Sequence, residues 1–109
     1  MKYDLTKEQV EKLNKAIDLA EEPGGCRYAI DGKPCCVIGQ LAVLEGVPVS
    51  ELDSAYGIEL FLKRGCLSPI SALAAYPLDL LICMQVRWDN SFSFSSIDDA
   101  RDWVRQLIT

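Results

Sequence analysis

The chain has 109 residues, half of them apolar and a quarter charged, with a formal net charge of −5 and no histidine. This length suits one domain that buries about two-thirds of its unfolded surface, so a core can form without disulfide or metal staples. The acidic balance argues against direct binding to nucleic-acid phosphates or to an anionic membrane surface. The absence of histidine excludes Ser-His-Asp and Cys-His catalysis, His-ligated metal sites and an imidazole pH switch.

The first predicted helix opens on Thr6-Lys7-Glu8-Gln9, a capping box in which the Thr6 hydroxyl accepts from the Gln9 amide while Gln9 reaches back. Leu5 and Val10 occupy the staple positions, and Val10, Leu13, Ile17 and Ala20 recur as one apolar stripe. Glu8–Lys12 and Glu11–Lys15 are i,i+4 pairs on the outer face, and Pro23-Gly24-Gly25 is the expected stop. Arg27-Tyr28-Ala29-Ile30 then leads into Asp31-Gly32, a type I′ turn signal, so a small β-hairpin or an ordered turn is expected near residues 28–34.

Pro34 suits the entry to a helix running from Cys35 or Cys36 to about Glu45, apolar around much of its circumference and stopped by Gly46. Ser50 caps a further short helix that Gly57 closes. Ile58–Gly65 reads equally as helix, from the Glu59–Lys63 pair, or as strand, from alternating Ile58, Leu60 and Leu62. A short helix is expected from Ser68-Pro69 to about Ala75. Another runs from Leu78 to about Asp89, with Leu78, Leu81, Ile82, Gln85 and Trp88 on its buried side. Ser95 or Ser96 caps the last helix, which places Asp98 and Asp99 in its first turn and buries Ile97, Ala100, Trp103, Val104, Leu107 and Ile108. The expected fold is mostly α: a compact single-domain bundle, residues 1–109, of five or six short helices with the small hairpin or turn near residues 28–34.

Five cysteines, Cys26, Cys35, Cys36, Cys66 and Cys83, are an odd count for a paired secreted framework, and Met1-Lys2-Tyr3-Asp4 opens no apolar signal region. The expected location is therefore the cytoplasm, with reduced thiols. Cys35-Cys36 at a helix start suits either a low-pKa thiolate or buried packing, and packing is the stronger reading because adjacent cysteines lack the C-x-x-C spacing. None of the cysteine spacings matches a zinc site, and no metal or cofactor is expected. The apolar stretch Leu67–Met84 carries Pro69, Pro77 and Asp79, which suits buried helices rather than a membrane span. Asp98, Asp99 and Asp102 are interleaved with Arg101 and Arg105, a charge-compensated exposed face.

Arg87-Trp88-Asp89-Asn90 is the most functional-looking cluster. One reading is an Arg87–Asp89 surface pair, a left-handed cap at Asn90 and a buried Trp88 that anchors the last helix. The other is an exposed aromatic–arginine patch of the composition found at interface hot spots.

An amphipathic first helix leading into Gly25–Pro34, the run Cys35-Cys36-Val37-Ile38-Gly39-Gln40-Leu41, and Arg87-Trp88-Asp89-Asn90 before a last helix together form a pattern. It resembles a family of small proteins of phages, prophages and actinobacteria that read "CC..GAL" and end with "WND" before a final helix. The chain has Trp-Asp-Asn where that family has Trp-Asn-Asp, and Val47–Ala75 is not matched. The resemblance implies a compact, mostly helical fold and a phage or mobile-element origin; it names no catalytic residue and no substrate.

The expectation is thus a non-enzymatic accessory protein acting by protein–protein binding, with Arg27, Lys33, Arg87, Trp88, Asp89 and Asn90 as candidate binding residues. For a phage-encoded chain the partner is a host-defence component, as for anti-CRISPR inhibitors, and the location is the host cytoplasm. Homo-oligomerisation is a further candidate. The alternatives are a small-molecule or nucleotide-signal binding protein (a sponge), with Arg27, Lys33, Arg64 and Arg87 clamping phosphate, and, ranked below it, a thiol-dependent redox protein using Cys35 or Cys36.

Overall fold

A computed structural model describes residues 3–21, 29–30, 33–34, 36–49, 73, 75–91 and 93–109. The described residues form a mostly helical, compact structure: α1 (Lys7–Leu19), α2 (Val37–Leu44), α3 (Leu78–Asp89) and α4 (Ile97–Arg105), closed by a 3₁₀ turn at Gln106–Ile108. These are four α-helices against the five or six expected. The helix expected from Ser50, the ambiguous segment Ile58–Gly65 and most of Ser68–Ala75 lie outside the described residues. Ala29–Ile30 (β1) and Lys33–Pro34 (β2) pair antiparallel over two residues each, Ala29 with Pro34 and Ile30 with Lys33. The turn expected at Asp31-Gly32 lies outside the described residues.

Local chemistry accounts for most of the helix ends. Thr6 and Gln9 close both halves of the capping box, at 2.9 and 3.1 Å. Helix α1 stops at Leu19, ahead of the Pro-Gly-Gly expected to end it, and its last carbonyls are taken up by other helices. Gln40 Nε2 donates to Leu19 O at 3.2 Å, while Arg101 Nε and Nη2 donate to Ile17 O and Ala20 O at 3.2 and 2.9 Å. No basic residue lies in the last turn of α1, so the guanidinium of α4 supplies the positive charge that its dipole favours.

Helix α2 ends in a Schellman motif. Gly46 N–H donates to Val43 O and Val47 N–H to Ala42 O, both at 3.0 Å, and Gly46 takes φ +94°, which an L side chain rarely adopts. Helix α4 is capped by Ser96, whose hydroxyl accepts from Asp99 N–H at 3.2 Å.

The helices form a closed square: α1 packs on α2 and α4, and α3 packs on α2 and α4. Its interior is built from Leu13 and Ile17 of α1, Ile38 and Leu41 of α2, Leu80, Leu81, Met84 and Trp88 of α3, and Ala100 and Val104 of α4. The buried face of α3 differs from the expected one. Leu80, Leu81, Met84, Gln85 and Trp88 point inward, whereas Leu78 points out and Ile82 is half-buried. Two neighbouring rows of α3 are both apolar, so hydrophobic spacing alone does not distinguish them. On α4, Ala100 and Val104 are fully buried, while Ile97, Trp103 and Leu107, expected inside, are only half-buried.

Candidate functional site

The predicted cluster on α3 divides by helix geometry. Trp88 is 0 % exposed, so it belongs to the core and the expected anchoring role fits its position. Arg87, one residue before it, lies about 100° around the helix on the α4 side. Its Nη1 donates to Trp103 O at 2.7 Å, and its guanidinium carbon lies 5.3 Å from the Trp103 ring centroid, a cation–π arrangement.

The expected Arg87–Asp89 pair does not form, because i and i+2 positions face different ways on a helix. Asp89 instead accepts from Gln85 Nε2 at 2.9 Å, one turn earlier. Burial raises the Asp89 carboxyl above its ordinary value, and the Gln85 hydrogen bond opposes this. Asn90 does not form a left-handed cap: its φ is −92°, and its Nδ2 donates back to Val86 O at 2.8 Å.

An aromatic–arginine surface does exist, built on a different tryptophan. The half-buried Trp103 of α4 receives Arg87 and packs against the exposed Phe94, with centroids 5.1 Å apart and planes tilted by 42°. The sequence reading placed Trp103 on the buried face and missed this grouping, because Arg87 and Trp103 are 16 positions apart and meet only when α3 packs on α4. One signal was available: Leu78, Ile82 and Val86 recur at i,i+4 and form a second apolar row on α3. Leu78 and Val86 are 47 and 49 % exposed. Tyr3 lies against the same helix, its hydroxyl raised above the ordinary phenol range first by burial and then by the Cys83 thiol that it meets.

A second, polar feature lies on the α1–α2 side. Thr6, Glu8, Gln9, Lys12, Glu45, Ala75 and Tyr76 line an open cleft of about 130 Å³. Glu45 Oε1 accepts from Tyr76 Oη at 2.8 Å and pairs with Lys12 Nζ at 3.0 Å, and Lys12 also meets Glu8 at 3.3 Å. Burial, then the Glu45 contact, pushes the Tyr76 hydroxyl well above the ordinary phenol value. The Glu45 and Glu8 hydrogen bonds raise Lys12. These groups satisfy one another and tie α1, the end of α2 and the turn before α3 together.

Of the other candidate residues, Arg27 lies outside the described residues; Lys33 is placed only by its backbone, paired with Ile30. Cys35 is outside as well, whereas Cys36 is 1 % exposed and its Sγ accepts from Gly39 N–H at 3.3 Å as the cap of α2. Its thiol is thus closed off from solvent and engaged at the start of α2. Among the described residues no three His, Cys, Asp or Glu side chains are grouped to hold a metal ion, and no helix is long and apolar enough to cross a membrane. No protein-family model, curated protein or solved structure matches this chain.

Proposed function

We propose that this chain acts by binding another protein through the solvent-facing side of α3 and the adjoining Arg87–Trp103–Phe94 cluster. The observation that carries the reading is the exposure of Leu78 and Val86, 47 and 49 %, on a helix already anchored by its opposite face. Single exposed apolar residues are ordinary on protein surfaces; here Leu78 and Val86 bracket the half-buried Ile82, and Arg87 stacked on Trp103 supplies the residue types enriched at binding hot spots. Where the resemblance to phage proteins holds, the partner is a component of host defence and the chain is an inhibitor of the anti-CRISPR kind. The phosphate-clamp alternative has less support, because the Arg87 guanidinium is already engaged by Trp103.

The test is an affinity capture from host lysate with the wild-type chain and with Val86→Glu. A stoichiometric protein retained by the first and lost by the second supports the reading. Capture of no stoichiometric protein by the wild-type chain counts against it.

A further inference from the structure

We propose that the occupant of the outer face of α3 is a basic amphipathic helix of the partner protein, an inference that rests on the protein-binding reading above and adds the partner's chemistry. The apolar row Leu78–Ile82–Val86 runs along a helix of 12 residues, about 18 Å, enough to seat two or three turns of a partner helix presenting apolar residues at i, i+3 or i+4, and i+7. Carboxylates flank that row at both ends: the exposed Asp79 on one side and the half-buried Asp89 on the other. Neither has an ion-pair partner among the described residues.

Several carboxylates elsewhere are paired, while Asp4, Glu11, Glu21 and Asp99 also lack an ion pair among the described residues. Asp98 and Asp102 of α4 are met by Arg101 and Arg105, Asp18 of α1 by Arg105, and Glu8 and Glu45 by Lys12. Arg87, on the same helix, is turned onto Trp103. The face therefore combines apolar anchors with carboxylates that no cation of the described structure answers, and lysines or arginines of a partner would answer them. A second copy fits less well, because it brings another chain of net charge −5 and another Asp79 and Asp89 to the seam.

The test uses the full chain and a fluorescently labelled helical peptide of roughly 18 residues, made of leucine and lysine with one apolar row, together with a counterpart carrying glutamate at every lysine. Anisotropy titrations of the wild type, Val86→Glu, Val86→Ser, Asp79→Asn and Leu19→Glu are read alongside sedimentation of each protein. Leu19 is 43 % exposed on α1, away from the row, and serves as the control.

The expected result is binding of the lysine peptide, weakened about tenfold or more by Val86→Glu and less by Val86→Ser. Asp79→Asn reduces the salt dependence, and Leu19→Glu changes nothing. Equal binding of the glutamate peptide overturns the basic partner and leaves the protein-binding reading standing. Failure of both peptides to respond to the Val86 variants overturns the assignment of this face. A wild-type dimer that Val86→Glu dissociates gives the face to a second copy and overturns the inference.

Discussion

Helices α3 and α4 pack against each other, yet they meet solvent in different ways. On α4 the outward residues are charged and mostly answered within the chain: Arg101 pairs with Asp98, and Arg105 with Asp102 and Asp18. On α3 the outward residues include Leu78 and Val86, with the half-buried Ile82 between them and Asp79 lacking an ion-pair partner among the described residues. One helix has a surface complete in water; the other has a buried face that holds it in the core and a second apolar row left half uncovered. The exposed Leu78 and Val86 contribute little to folding, and on the reading proposed above they serve recognition.

Substitutions can break that contrast, and the largest effect belongs to the buried side. Trp88→Ala should cost about 3–5 kcal/mol in denaturant unfolding, because it empties the centre of the core. Trp103→Ala should cost clearly less, as only part of its ring is covered. Equal losses would mean that the two tryptophans do not divide into a core and a surface role.

Next in size is Arg101→Met, which leaves Ile17 O and Ala20 O without their charged donor; a loss of about 1.5–3 kcal/mol is expected, and Arg101→Lys should not restore it because a single ammonium cannot reproduce the fork. Ser96→Ala should cost about 1 kcal/mol by uncapping α4, read as a lowered midpoint with unchanged slope in a urea titration.

Asp89 sharpens the comparison through pH. Burial raises its folded-state pKa above the unfolded value of about 3.8, so the native state holds the proton more tightly. That contribution is present below the unfolded value and is lost as pH rises through the raised one, which leaves an ionised carboxylate at a net cost at neutral pH. Asp89→Asn should therefore stabilise the chain at neutral pH, by less than about 1 kcal/mol after solvent screening, with the gain fading in acid. A loss of stability at neutral pH would show that the charge is already compensated. The smallest effect is expected for Val86→Ser, within about 0.5 kcal/mol of wild type in thermal unfolding, because the side chain is half in water already.

The same contrast explains how much could be read from residues alone. Ends written in local chemistry were legible: the Thr6–Gln9 box, the Gly46 stop and the Ser96 cap each involve neighbours a few positions apart. The face of α4 was partly legible, since Ala100, Val104 and Ile108 stand out among charges, although Trp103 proved half-exposed. The face of α3 was not, because a helix apolar on both sides does not announce which row is inward. Arg87 stands out in the sequence beside Asp89, but its partner is not Asp89. Trp103, the residue it meets, is brought to it only by packing between helices, which no local spacing records. The capping of α1 by Arg101, more than 80 positions away, was invisible for the same reason.

The most direct test of the central claim is amide chemical-shift mapping of the isotopically labelled chain during titration with the leucine–lysine peptide. The account predicts perturbations concentrated at Leu78–Asn90 and near Trp103 and Phe94, with the outward face of α4 at Asp98 and Asp102 and the distant Leu19 unchanged. Perturbations centred on the charged face of α4, or spread evenly over all four helices, would contradict it.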